Sequence, residues 1–578
     1  MSQHEEDVKD LLTIVNCSKT YNISKKLLCS KVPYFEGLLA SNFKESKESK
    51  VDFKFDESSF DLFIKWINGQ TELQFEYLVD LYDIADYLMI DELKSACSNF
   101  LYDKFTVDNL ETILNQVTDT SKLINTKAIN CFINRNFLKI VNLKSFLAFS
   151  LSTLEYVLKL DLWIESEYNV FKAIIKWIDH DSTLRKQHLT QLLKLIRWDQ
   201  LDNKGSSAIR DNKYIKELNI SDDDPLVPIK TEQENPRTTK TSLLAIYSYP
   251  NDPKNIAIFK FQSESWNLIG NFTEDVTLPT HIFCEDQSFD IFYDSGRRGI
   301  RVDWCNKTFR YLDSELIDYY RLMLLSARYS KYSLGYSHFY KWKDCRLEGP
   351  IHYDSLLESK GKFILLCREN YDLSNTHCCW PAKVKNDFKK FDDHLVQGAC
   401  VKRDVFVYSR SYKTKLIRFA KDSGKIIDLT LPQRVTTQPA FLYERCGIGQ
   451  GRARCLRGKL YGNYLLASNG SQLALGIKSS KDFFFYDPQT TSWSHHPMKY
   501  SGNLIGLASV NWPSSYDYSY NETNKQSDVC KASDLNNLNS PEDLNHEDST
   551  IKDEGTVNNR KNNEENWPKR QRLDVVTT

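Results

Sequence analysis

The chain has 578 residues, 41% of them apolar and 26% charged, with a formal net charge of −1. That length accommodates three or four domains of roughly 100–200 residues each, and the near-neutral balance excludes a global field that would draw the chain to nucleic acid or to an anionic membrane. The polar, acidic start from Met1 to Asp10 lacks the basic and apolar stretches of a signal peptide, and no apolar run reaches the ~18 residues of a membrane span, so a soluble cytoplasmic protein without membrane insertion is the expectation.

The first predicted element is the apolar run Leu11 to Val15, with Tyr21 and Ile23 as a hairpin partner. Lys26 to Leu39 carries apolar residues at helical spacing, and Pro33 restarts the chain at a helix first turn. Val51, Phe53 and Phe55 alternate with Asp52 and Lys54, the period of a half-buried strand. Ser58 or Ser59 then caps a helix with Phe60, Phe63, Ile64 and Ile67 inside, ended by Gly69. Two further amphipathic helices follow, one on Leu78, Leu81, Ile84, Ala85 and Leu88, the next on Leu93, Cys97, Phe100 and Leu101.

From Thr106 to Trp198 the period is helical throughout. Ser152 and Glu155 have capping-box spacing, and Ser166 is placed to cap the helix that buries Val170, Phe171, Ile174 and Ile178. Residues 203–240 are polar and proline-bearing, and read as a linker. Short β-like runs then take over: Leu243–Tyr247, Ile256–Phe261, Phe363–Cys367, Val405–Tyr408, Leu416–Phe419 and Phe483–Tyr486, with one helix expected near 314–325. Many short strands over that length suggest a β-propeller, with a sandwich as the alternative. Beyond Trp512 the chain is rich in Asn, Ser, Asp and Glu, which predicts a disordered tail.

The first hundred residues resemble a BTB (POZ) domain. The matching segments are Lys26-Leu27-Leu28-Cys29-Ser30-Lys31-Val32-Pro33-Tyr34-Phe35, Phe60 to Gly69, and Ala85-Asp86-Tyr87-Leu88 with Leu93 and Cys97 in step. Residues 104–200 resemble a BACK domain through Asp108-Asn109-Leu110, Phe132-Ile133, Glu165-Ser166-Glu167, Val170-Phe171 and Trp177-Ile178. The combination is similar to the kelch-like family of cullin-3 adaptors. Phe485-Tyr486-Asp487-Pro488 with Trp493 and Met498 resembles the end of a kelch blade, and Ile258–Phe261 with Trp266 is a fainter copy. No Gly-Gly pair occurs in 241–512, so the expectation is a degenerate propeller, of five or six blades by length, or else a different β fold. The expected organisation is therefore an α/β BTB domain at 1–103, an all-α BACK domain at 104–202, a linker at 203–240, an all-β propeller at 241–512 and a tail at 513–578.

The resemblance implies that Phe43-Lys44-Glu45 docks cullin-3, with Phe43 as apolar anchor and Glu45 as polar guide, and that loops of the β domain hold a protein substrate. Tyr412, Arg452, Arg454 and Arg457 are the substrate-contact candidates, on composition alone. Ser24 stands where that family usually carries His, and only about nine residues precede Asp10, which leaves a homodimer, a BTB heterodimer or a monomer open. The second functional reading is a non-ligase scaffold that organises cytoskeletal or membrane-associated complexes with the same domains.

No catalytic motif appears. Gly447, Gly449 and Gly451 lack a strand–helix setting, His495-His496 reads as a surface pair, and the 14 cysteines form no C-x-x-C pair, with His377, Cys378 and Cys379 the nearest approach to a ligand cluster. No enzyme activity, metal or cofactor is expected. Lys569-Arg570-Gln571-Arg572 resembles a short nuclear import signal and leaves nuclear entry open.

Overall fold

The computed structural model describes residues 10–41, 44–70, 72–218, 237–284, 287–312, 355–359, 362–366, 396–402, 404–410, 414–420, 425–431, 464–478, 482–498 and 500–513. The first domain opens with β1 (Leu11–Asn16), which pairs antiparallel with β2 (Lys19–Ser24) and parallel with β3 (Lys50–Phe53). Leu12 and Ile14 are fully buried on one face of β1, as period-two alternation requires. The parallel β1–β3 pair needs a crossover, supplied by helices Lys25–Lys31, Pro33–Ala40 and Lys44–Glu48. Ser24 ends β2 and caps the first of these. Its hydroxyl accepts from Leu27 N at 3.3 Å and donates to Asp10 Oδ2 at 2.5 Å, a local arrangement that needs no imidazole.

Helix Glu57–Ile67 corrects the expected cap. Its N-cap is Asp56, whose carboxylate accepts from Ser59 N at 2.8 Å, so Ser58 and Ser59 lie inside the first turn. A carboxylate at the cap also meets the positive end of the helix dipole. Gly69 closes the helix with φ +76°, a left-handed conformation that glycine adopts without cost. Helices Leu78–Tyr87 and Asp91–Lys104 complete the domain.

The second domain is helical, built mainly from Leu110–Leu114, Thr126–Ile140, Leu151–Lys159, Tyr168–His180 and Leu189–Leu193. Here too a cap moves. Ser150, not Ser152, accepts from Thr153 N at 3.2 Å, and Glu155 turns instead to Gln191. Ser166 lies one residue before the N-cap position of Tyr168–His180 and accepts from Tyr168 N at 3.3 Å. Helices Asn203–Arg210 and Lys213–Glu217 follow, and bury Ile209, Tyr214 and Ile215 in the same core. The expected linker boundary at 203 is thus corrected. These helices are short and bury few residues, so their sequence reads as polar.

The chain re-enters the described residues at Arg237, which is buried against the helical domain. Its Nε and Nη2 donate to the two carboxylate oxygens of Glu167 at 2.5 and 2.8 Å, and Nη1 donates to the carbonyls of Leu158 and Leu160. Thr239 N then donates to Ile164 O at 2.6 Å. From this anchor run β4 (Thr239–Tyr249), β5 (Asp252–Gln262) and β6 (Ser265–Glu274), an antiparallel meander. β7 (Ser288–Tyr293), β8 (Arg298–Asp303) and β9 (Thr308–Leu312) form the next.

A two-residue parallel bridge, Thr273↔Thr308 and Glu274↔Phe309, fuses these meanders. β20 (Asn503–Pro513) pairs along nearly all of β4, which makes one seven-stranded sheet in the order β20-β4-β5-β6-β9-β8-β7. Its two edge strands lie against each other: a Cβ added to Gly506 would meet the Tyr293 ring at 2.7 Å. β10 (Ser355–Ser359) and β11 (Lys362–Leu366) form a hairpin. β12 (Val396–Val401) to β15 (Lys425–Leu429) and β16 (Tyr464–Ser468) to β19 (Ser492–His495) form four-stranded sheets.

The innermost strands are joined across the centre. Gln397 donates to Asp294 Oδ1 at 3.0 Å and accepts from Leu466 N at 3.1 Å. Ser295 Oγ exchanges hydrogen bonds with Gly398 N and O, and Ser468 N donates to Ser509 Oγ at 2.7 Å. Among the described residues, counting the fused meanders separately gives five blade-like units, and the pairing of β20 with β4 fits a degenerate propeller. The expected helix at 314–325 and the tail from 514 lie outside the described residues.

The β domain is also plugged into the helical part. The segment after β6 carries His281, Ile282 and Phe283. Phe283 packs against Phe105 and Phe132 at ring separations of 4.9 and 5.4 Å, and His281 stacks on Tyr102 at 4.5 Å. Arg301 and Arg310 hold the stem: Arg301 Nη1 donates to Pro279 O at 2.5 Å, and Arg310 Nη1 to Leu278 O at 2.8 Å.

Candidate functional site

Helix Leu78–Tyr87 buries Leu81, Ile84 and Ala85, which leaves Tyr87 on its outer side, 54% exposed. The chain then turns through Met89, at φ +58°, and Ile90 N closes onto Ala85 O at 2.8 Å. This left-handed stop, costly for a residue with a Cβ, holds Met89 53% exposed. Tyr87 leans on Tyr34, Phe53 and Phe55, with ring separations of 5.7, 6.1 and 5.4 Å. Tyr34 is one residue past Pro33, at the start of its helix.

Glu45 borders this cluster. The Tyr34 phenol is pushed up by its burial, then by the neighbouring Tyr87 and by the Glu45 carboxylate. Glu45 is itself half-buried in helix Lys44–Glu48, while Lys44 is exposed and pairs with Glu48 at 3.8 Å. A surface pair of that length contributes little. Tyr34 and Tyr87 thus form an aromatic pair at the surface, with exposed Met89 two residues past Tyr87 and the Glu45 charge felt at Tyr34, residue types that protein-docking hot spots favour. Phe43 lies outside the described residues, as do Tyr412, Arg452, Arg454 and Arg457.

Of the residues expected to dock a partner, the described ones are Lys44 and Glu45, and only Glu45 borders the aromatic patch. Tyr34, Tyr87 and Met89 are not among the residues expected from sequence, although a signal for Tyr87 is present: it falls off the apolar stripe of its helix.

Comparison with known proteins bears on the same residues. Residues 1–105 match the family model for the BTB/POZ domain and residues 115–207 that for BACK, BTB And C-terminal Kelch. The chain is similar to Kelch-like protein 6 of Homo sapiens, 23% identical over 293 residues. This is a kelch-like BTB-BACK protein. It is also similar to Kelch-like protein 38 of Danio rerio, 26% identical over 193 residues, and to Kelch-like protein 17 of Mus musculus, 24% over 188. The alignments cover 49%, 32% and 31% of this chain and 44%, 32% and 29% of those proteins, so the chain spans less than half the length of the relatives it matches.

In this kelch-like protein the Tyr34–Tyr87 pair belongs to the BTB domain, and the Phe283 plug enters where BTB passes into BACK. Among the described residues no cluster of His, Cys, Asp or Glu has the makings of a metal site, and no helix is long and apolar enough to cross a membrane. His495 Nε2 donates to Asp482 Oδ1 at 2.7 Å and His496 Nδ1 to Glu264 O at 3.1 Å, so the histidine pair is tied into the β domain. His377, Cys378, Cys379 and the Gly447–Gly451 run lie outside the described residues.

Proposed function

We propose that this protein is a substrate-receptor adaptor of a cullin-3 ubiquitin ligase. The BTB patch docks the helical N-terminal part of the cullin, and the β domain holds a protein substrate. In this reading the chain works in the cytoplasm and performs no chemistry of its own.

The observation that carries the reading is the exposed Tyr87 ring 5.7 Å from Tyr34, with the Glu45 charge acting on Tyr34 and exposed Met89 two residues on. Burying an exposed aromatic and a methionine on a partner's apolar groove supplies affinity, and a carboxylate at the edge fixes register. The experiment is calorimetry of the full chain against the N-terminal part of cullin-3. Parent protein is expected to bind at micromolar Kd or tighter. Tyr87→Ala with Glu45→Lys is expected to weaken binding at least tenfold, about 1.4 kcal/mol, with an unchanged melting temperature. No binding by the folded parent would sink the reading, and would favour a scaffold that acts through its β domain alone. Equal binding by parent and variant would sink the assigned patch.

A further inference from the structure

Between the BACK domain and the centre of the β domain lies a chamber of about 710 Å³. That is the size of a site for a small ligand, and nothing in the adaptor reading uses it. Its walls come from helix Thr126–Ile140 and Trp163 of BACK, and from the innermost strands β7, β12, β16 and β20. The Ser295–Gly398 hydrogen bonds lie where β7 and β12 meet at this wall. Lys240, Lys402 and Ser471 line it and are exposed, so the chamber is reached from solvent on that side.

The lining has two chemical characters. One is aromatic: Trp163 and Phe289 stand 5.4 Å apart, with Phe292 and Tyr293 farther along β7. The other is cationic. Among the described lining residues four cations, Arg135, Lys139, Lys240 and Lys402, stand with two carboxylates, Glu165 and Asp290. Asp290 is already matched, because both its oxygens accept from the buried Arg301, at 2.8 and 2.9 Å. Arg135 lies over the Trp163 ring at 5.4 Å, which puts a guanidinium beside an aromatic face. Cations on low-dielectric walls concentrate anions, and a guanidinium on an aromatic wall suits a planar acid.

We propose that this chamber binds a small organic anion, a phosphate or carboxylate ester-sized group carried on a planar apolar body. The anion faces Lys240, Lys402 and Arg135, and the body lies along Trp163 and Phe289. Because BACK and the β domain each supply part of the wall, the ligand touches both domains at once. The inference stands independently of cullin binding.

The test uses the full chain and three probes: 1-naphthyl phosphate, neutral 1-naphthol and inorganic phosphate. Calorimetry is expected to show one saturable site for naphthyl phosphate, at least tenfold tighter than for either of the others. The double variant Lys240→Glu, Lys402→Glu is expected to lose tenfold or more in affinity while it keeps its melting temperature, since both side chains are exposed. Lys240→Gln, Lys402→Gln should fall between. Absence of saturable binding up to millimolar naphthyl phosphate overturns the proposal. So does equal affinity for naphthol, or an affinity indifferent to the charge reversal.

Discussion

Glu167 and Arg237 are both removed from water, with side-chain exposures of 0% and 1%. The carboxylate is satisfied by the two guanidinium bonds and by Arg197 N at 3.1 Å. Removal of one partner from such a pair leaves a buried, uncompensated charge, a loss of about 3–5 kcal/mol. Glu167→Gln is therefore expected to lower the denaturation midpoint sharply. Glu167→Leu combined with Arg237→Met should recover much of it, and chemical denaturation measures both. His281 gives a second prediction at this scale. Its burial, and then the neighbouring Arg301, depress its pKa from 6.5 to about 4. Between those values the unfolded chain takes a proton that the folded chain refuses, so the stability it contributes is complete above pH 6.5 and is lost as pH falls towards 4. Melting temperatures from pH 7 to 4.5 should fall less steeply in His281→Phe, which keeps the stack on Tyr102 and removes the titration. Neither residue was legible as a pair-former or switch in the sequence. Glu167 appeared only as part of a motif, and its partner lies 70 positions on.

At the scale of elements, periodicity located the BTB strands, most helices and six apolar strands of the β domain, because a buried face leaves its spacing in the sequence, while strands such as β7 and β20 went unmarked. It failed at caps. Asp56 and Ser150 are chosen by where the chain leaves the extended region, and Ser58, Ser59 and Ser152 offer the same chemistry a residue or two away. It failed also at the plug. Ile282 and Phe283 sit in an irregular segment with no period, yet both belong to the BTB-BACK core. Truncation of a buried phenylalanine costs about 3–5 kcal/mol. Phe283→Ala is expected to spend that cost at the domain junction: limited proteolysis should cut between BTB-BACK and the β domain much faster than in the parent, while the near-ultraviolet signal of each domain persists. Unchanged cleavage would mean that the Arg237 anchor alone fixes the junction. The proposed docking patch was half legible. Glu45 was found by resemblance, but Tyr34 and Tyr87 come together only through the packing of two helices on β3.

At the scale of the molecule, the family resemblance foretold BTB, BACK and a β domain in order, and that order is borne out. The fusion of two blade-like units was out of reach, since a two-residue parallel bridge leaves no trace in composition. The same is true of the pairing of β20 with β4, which joins segments more than 250 positions apart. That closure has a consequence for how the protein is made. Leu243 to Tyr247 are all fully buried in the finished sheet, yet their neighbour on one side is among the last structured segments to be synthesised. At ~5–20 residues per second the ribosome needs roughly 10–50 s to reach it, and through that interval an apolar strand stands with an open edge, the kind of edge that recruits other chains. The sheet is thus closed only after β20 has emerged, and a nascent chain stalled before residue 503 would carry a finished BTB-BACK pair and an adhesive, unfinished β domain.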